Sequence, residues 1–194
     1  MANGTLKVSN IETSSGSGTI TIGQSGETVD MANGSITLNS GMKATPAFHV
    51  TLSSNQSISG NTWTKLQLDS ESFDSDNCYD NSTNYRFTPT VAGKYFCYGT
   101  YYSLQSSGDD VLIQCRILKN GDTAEGTQET SNRVTTSDVL SISGHSTVTL
   151  NGSSDYVEFW VYQNEYNAGG AFNARGNSSG RQFCNFGAYR IIGA

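Results

Sequence analysis

Arg86-Phe-Thr-Pro-Thr-Val-Ala-Gly-Lys-Tyr-Phe-Cys-Tyr-Gly-Thr-Tyr-Tyr102 is the most ordered-looking segment of the chain. Phe87 closes one apolar run, and Pro89 and Gly93 punctuate a turn. From Tyr95 to Tyr102, bulky and small residues then alternate, with aromatics on both parities. A period of two marks a β-strand, and bulk on both faces marks a strand covered from both sides. The segment is therefore expected to be a central strand.

The surrounding sequence carries the same signal. Only 14% of the 194 residues are charged, Gly is abundant, and no window places apolar residues at helical spacing beside Glu and Lys partners. This composition is all-β, and the length predicts one main domain with a real core. Phe48, Val50 and Leu52 alternate with polar neighbours, and after a Ser/Asn/Gly turn Trp63 opens a run carrying Leu66 and Leu68. A polar loop is expected from Asp69 to Asn84. Val111 to Leu118 reads as a strand closed by Asn120-Gly121, a pair that favours hairpins. Thr147 to Leu150, Tyr156 to Gln163 and Phe183 to Ile192 complete the set, with a Gly/Asn-rich loop from Asn164 to Gln182.

Several of these segments resemble the globular heads of the complement one-q and tumour-necrosis-factor superfamily. Phe-Thr-Pro-x-x-x-Gly-x-Tyr-Phe at Phe87 to Phe96 is similar to its most recognisable segment, and Phe48-x-Val-x-Leu52 to its first strand. Asn77-Cys-Tyr-Asp80 resembles its Tyr-Asp loop, and Val111-Leu-Ile-Gln-Cys-Arg-Ile-Leu-Lys-Asn-Gly121 the strand that ends in Lys-Asn-Gly. Asp155-Tyr-Val-Glu-Phe159 resembles its Asp-x-Val strand, and Phe183-Cys-Asn-Phe-Gly-Ala-Tyr-Arg-Ile-Ile192 its closing strand. The resemblance spans residues 46 to 193 and implies a jelly-roll β-sandwich that forms a homotrimer through aromatic strand faces. The family's collagen Gly-x-y stalk has no counterpart here. Phe87, Tyr95, Phe96, Tyr98, Tyr101, Tyr156, Trp160, Tyr162, Phe186 and Tyr189 are the residues expected in the core strands and trimer interface.

The first 43 residues differ. All Tyr, Phe, Trp and Pro residues lie beyond them, so they cannot form a core of their own. Gly18-Thr-Ile-Thr-Ile22, Gly26-Glu-Thr-Val-Asp-Met31 and Gly34-Ser-Ile-Thr-Leu38 nevertheless repeat a glycine and a short β-branched alternation every eight residues. Such thin strands need neighbouring copies or a host surface to offset chain entropy, and a flexible Gly/Ser linker is the other reading. The expected organisation is a repetitive β-stem over 1–43 and a jelly-roll domain over 44–194. Leu6 to Val29 resembles the N-terminal signature of structural proteins of marine tailed bacteriophages. That resemblance implies a virion component made in a bacterial cytoplasm, attached through Leu6, Val8, Ile11, Ile20, Ile22, Val29, Ile36 and Leu38. The start, Met-Ala-Asn-Gly-Thr-Leu-Lys, lacks the basic and apolar regions of a secretory signal, which disfavours an exported complement-like lectin.

Chemistry is sparse. The net charge of −6 and scattered Lys and Arg argue against nucleic acid, and no run of 18 apolar residues suggests membrane insertion. Cys78, Cys97, Cys115 and Cys184 form no Cys-x-x-Cys pair; buried free thiols are expected, with a disulfide as the alternative. No cofactor is expected. Gly176-Asn-Ser-Ser-Gly180 matches the nucleophile-elbow pattern but lacks a strand before it and a helix after it. His49 alternates with core residues and His145 follows Gly144 in an expected turn, so neither reads as a catalytic base. Asp74, Asp76 and Asp80 offer hard oxygen ligands for calcium, or simply a solvated acidic loop. The expectation is a non-enzymatic homotrimeric capsid decoration or cement protein on the virion head, partnered by the major capsid protein. The alternative is a short head or tail fibre whose tip, at Asn164 to Gln182 and nearby aromatics, binds a host receptor or glycan.

Overall fold

A computed structural model describes residues 43–104, 111–122, 130–134, 140–165 and 172–192, together with Ile11, Ser25 and Gly26. The chain divides into two units, Met1–Thr37 and Leu38–Ala194. In the first, Ile11 is exposed and Gly26 sits in a turn at φ 90°. The eight-residue repeat and the attachment residues Leu6, Val8, Ile20, Ile22, Val29, Ile36 and Leu38 lie outside the described residues.

The second unit is built from strands: β1 (Ala47–Thr51), β2 (Gln56–Ile58), β3 (Thr64–Lys65), β4 (Ser70–Asp74), β5 (Tyr79–Asp80), β6 (Arg86–Phe87), β7 (Gly93–Leu104), β8 (Val111–Lys119), β9 (Thr130–Val134), β10 (Leu140–Leu150), β11 (Val157–Glu165), β12 (Phe172–Ala174) and β13 (Asn185–Arg190). They form two antiparallel sheets. The first runs β4-β1-β13-β7-β10, with β12 continuing beside the far end of β7 and β2 beside β12. The second runs β5-β6-β11-β8-β9, with β3 also on β11. Along the chain, β1, β7, β10 and β13 fall in the first sheet, and β6, β8, β9 and β11 in the second. That interleaving of four strands with four is the jelly roll.

β7 is the central strand that its sequence predicts, paired to β10 along one edge and to β13 and β12 along the other. Tyr95, Cys97, Gly99, Tyr101 and Ser103 point inward, while Phe96, Tyr98 and Tyr102 are half-buried on the outer face. Inside, Phe48 stacks on Phe87 at 4.5 Å and on Tyr79 at 4.9 Å between ring centroids, and meets Phe186 edge-on. Phe159 of β11 stacks on Phe186 at 5.7 Å. Such offset and edge-on aromatic pairs add about 0.5–1.5 kcal/mol each beyond their area. One buried polar link crosses the sandwich: the Tyr101 hydroxyl donates to Gln163 Oε1 at 2.9 Å, and Gln163 Nε2 donates to the Ile58 carbonyl at 2.6 Å.

The hairpin turn after β8 is as expected, with Asn120 and Gly121 at φ 53° and 73° and Asp122 N donating to Lys119 O. Other boundaries differ. The expected loop from Asp69 to Asn84 contains β4 and β5, because β1 offers a free edge that backbone bonds fill regardless of side-chain polarity. The run from Trp63 to Leu68 yields only β3, although Leu66 and Leu68 are buried. β10 begins at Leu140 rather than near Thr147, and its inward residues there are Leu140, Ile142 and Gly144. β12 interrupts the Gly/Asn-rich loop.

At Gly99 the first sheet lies directly against Phe159 of the second. A Cβ there would lie 2.7 Å from the Phe159 ring. Gly99→Ala is expected to cost about 1–3 kcal/mol through overpacking, read from the midpoint of chemical denaturation.

Candidate functional site

The alternation of β1, β7, β10 and β13 puts one residue of every two on the outer face of the first sheet. On that face lie His49 of β1, Phe73 of β4, Phe96 and Tyr98 of β7, His145 of β10, and Gly187 and Tyr189 of β13. Cross-strand register sets their order: His49 faces Phe73 on one side and Gly187 on the other, Gly187 faces Tyr98, and Tyr98 faces His145. The rings form a continuous band. His49 stacks with Phe73 at 6.4 Å and with Tyr98 at 5.9 Å, Phe96 with Tyr98 at 6.4 Å, and Phe96 with His145 at 5.9 Å. Tyr189 leans on Phe96 at 5.5 Å.

A glycine makes the band possible. A Cβ at Gly187 would collide with the Tyr98 hydroxyl and ring, so only glycine lets that side chain cross β13 and bond His49 Nδ1 at 3.0 Å. Gln182 Oε1 stands 3.4 Å from the other imidazole nitrogen. Burial raises the Tyr98 phenol above its ordinary value. Three members of the band remain open: His145, Phe73 at 52% and Tyr189 at 45% exposure.

The opposite face of the sandwich has a different character. Arg116 lies 3.8 Å over the Trp63 ring, Trp63 leans on Tyr162 at 5.4 Å, and Arg86 stacks on Tyr156. Glu158 is buried between Lys65 Nζ at 2.9 Å and the Trp160 indole N–H at 2.9 Å. A buried carboxylate paired on both oxygens fixes a conformation.

The ten residues expected at the core and interface therefore separate into three groups. Phe87, Tyr95, Tyr101 and Phe186 are fully buried within the sandwich and present nothing to a neighbour. Phe96, Tyr98 and Tyr189 share the aromatic band. Tyr156, Trp160 and Tyr162 belong to β11 or its approach, on the other sheet, and do not join them. The sequence reading missed His49, Phe73, His145 and Gly187. His145 lies within β10 and not in a turn. A glycine inside an otherwise bulky strand, Phe186-Gly-Ala-Tyr189, is the one local sign of a close approach.

The candidate calcium ligands Asp74, Asp76 and Asp80 do not converge. Asp80 spends its oxygens on the backbone N–H groups of Ser82, Thr83 and Asn84 and on the Asn84 amide. Those bonds, led by the one from Thr83, hold its carboxyl well below the usual range. Asp74 accepts from Tyr79 N at 2.7 Å, and Asp76 from the Ser75 hydroxyl. No group of three His, Cys, Asp or Glu is placed to hold a metal among the described residues. All four cysteines are free and buried. Burial pushes the Cys97 and Cys115 thiols up to about 12 and that of Cys184 to about 11, which leaves them inert. Ser178 sits in a tight turn against Arg181, with Ser179 and Gly180 at positive φ, far from the strand-to-helix elbow a nucleophile needs.

No protein-family model and no curated protein matches the chain. Among solved structures, it is similar to the globular domain of zebrafish complement 1qA protein, at 15% identity and a TM-score of 0.49, over 75% of this chain and 97% of that one. Eiger TNF from S. frugiperda matches at 13% identity and a TM-score of 0.46, over 76% and 93% of the two chains. Murine APRIL matches at 12% identity and 0.46, over 75% and 98%. The jelly-roll assignment stands on the strand order and register given above.

Gly187→Ala is expected to break the His49–Tyr98 bond and tilt Tyr98 out of the band, visible as a loss of tyrosine near-ultraviolet circular dichroism with little change in the far-ultraviolet signal. Asp80 yields a pH dependence. Its folded carboxyl titrates below its unfolded value, so its contribution to stability is complete above the ordinary carboxylate range and is lost as pH falls through that range toward the depressed value. Asp80→Asn should lower stability at neutral pH and flatten the acid limb of a stability-against-pH curve measured in denaturant.

Proposed function

We propose that the chain is a non-enzymatic, homotrimeric surface protein of a bacteriophage particle, and specifically a capsid decoration or cement protein. The aromatic band carries the assembly part of this reading. It runs from Phe73 at one edge of the first sheet to His145 at the other and leaves Phe73 and Tyr189 about half exposed. A contiguous aromatic surface of this kind marks an interaction site, and copies of the same chain packed about a three-fold axis cover it by symmetry. The resemblance of residues 46–193 to a trimer-forming superfamily supports the same stoichiometry.

The virion part of the reading rests on Leu6 to Val29 and its likeness to phage structural proteins. Head is favoured over tail because the thin β-branched repeats of residues 1–43 suit arms that lie on capsid subunits, where three weak attachments act together. The major capsid protein is then the partner, the bacterial cytoplasm the site of synthesis, and no cofactor takes part. A short fibre that binds a host receptor or glycan is the second reading, favoured by Trp63, Trp160 and Tyr162 on the outer side of the second sheet.

The full-length chain at micromolar concentration should sediment at three times its monomer mass; a monomer would contradict the assembly reading. Deleting residues 1–43 should leave a folded jelly roll that no longer enters particles, and cryo-electron microscopy should find the intact protein on the head. Density only at the tail, or normal incorporation of the shortened chain, would favour the fibre.

A further inference from the structure

A polar cleft of about 430 Å³ opens where the chain leaves β1. Its walls are the segment from Leu52 to Ser57, the approach to β4 at Gln67 and Asp69, and the ring-bearing residue Tyr85. The volume is within the range of small-molecule sites, but the lining is not typical of them: Leu52, the one aliphatic member, is buried, and the rest is amide, hydroxyl, carboxylate and phenol.

The polar heads of this cleft are held in place by the backbone around them. Gln56 Oε1 accepts from Gln67 N at 2.8 Å while its Nε2 donates to the Lys65 carbonyl at 3.0 Å. Asn55 Oδ1 accepts from Gly176 N at 2.9 Å, and Asp69 accepts from both the amide and the hydroxyl of Ser53. Gly176 is pressed against the Ser54 and Asn55 backbone closely enough that any Cβ would collide, so the segment after β12 braces the cleft wall. Each anchored group keeps further capacity. A carboxylate has about four acceptor sites and an amide two donors and two lone pairs, and these anchors use only part of them. Tyr85 adds an aromatic surface and is held at φ 49°, a conformation that bulky residues adopt only where their surroundings impose it.

The chemistry selects the ligand. No Lys or Arg lines the cleft and one carboxylate does, which disfavours phosphates and other anions; the near absence of aliphatic surface disfavours apolar ligands. Fixed amides and a carboxylate match vicinal hydroxyl groups, each a donor and an acceptor, and an aromatic wall matches the C–H face of a pyranose ring. We propose that this cleft binds a neutral saccharide unit, seated between Asn55, Gln56, Ser57, Gln67 and Asp69 and bounded by Tyr85. The proposal goes beyond the assembly reading, and it holds whether the chain sits on a head or a tail.

The test uses the full-length, isotope-labelled protein titrated to millimolar concentrations with galactose, mannose, rhamnose and N-acetylglucosamine in turn, and with inorganic phosphate as the charged comparison. At least one saccharide should shift the amide signals of Asn55, Ser57, Gln67, Asp69 and Tyr85, and phosphate should not. Tyr85→Gly removes the ring while relieving the positive φ, so it should weaken binding at least about tenfold with the thermal midpoint unchanged or raised. Ser57→Arg, at an exposed position, should abolish binding by filling the cleft, and it serves even if the glycine variant folds poorly. The proposal is overturned if none of the four sugars shifts these amides, if shifts fall on either sheet face instead, if phosphate produces the larger effect, or if Ser57→Arg binds like the parent.

Discussion

Phe159 fills the space that Gly99 leaves open, and this fit sets how closely the two sheets approach. Gly99 sits in the middle of β7, opposite Phe186 on β13, and the Phe159 ring lies flat on the Phe186 ring at an interplanar angle of 14°. A larger residue at 99 would push β11 outward and open the layer in which Phe48, Phe87 and Tyr95 pack. The same separation places Tyr101 within reach of Gln163, so that polar bridge across the core depends on it too. Dense aromatic packing and a satisfied buried amide act together here: the packing excludes water, and the bond removes the cost of burying the amide.

A second glycine does the corresponding work outside. Gly187 lets the Tyr98 side chain cross β13 to His49, and the aromatic band depends on that crossing. The sandwich thus has two distinct aromatic populations, one sealed between the sheets and one spread over an outer face. In the sequence they are intermixed, because neighbouring residues of one strand serve opposite faces: Tyr95 and Tyr101 are interior, Phe96 and Tyr98 exterior. An interior bounded on both sides explains how so polar a chain keeps a fold, and the exterior band is the surface we propose for assembly.

Much of the interior was legible because it is written locally. The alternation at Phe48, Val50 and Leu52, the central run at Tyr95 to Tyr102, and the Asn120-Gly121 turn each declare themselves within a few residues. β4 did not, since Ser-Glu-Ser-Phe-Asp has no inward apolar row and exists by completing the edge of β1. The first half of β10 is marked only briefly: Leu140 and Ile142 alternate with serines before Gly144 interrupts the apolar row. The band was the least legible part. Whether Phe73, His49, Gly187, Tyr98 and His145 line up depends on register between strands far apart in the chain, and no single strand contains that information. The polar cleft is similar in kind, assembled from Asn55, Asp69 and Tyr85 by turns rather than by any motif.

The aromatic band is the proposed seam between copies. The mass of a Phe73→Glu, Tyr189→Glu double variant in sedimentation equilibrium tests it most directly, since both side chains are open to solvent in the single chain and bear little on its folding. The variant is expected to be a monomer whose far-ultraviolet circular dichroism matches the parent. A variant that keeps the parent's trimer mass would contradict it and move the seam to another face.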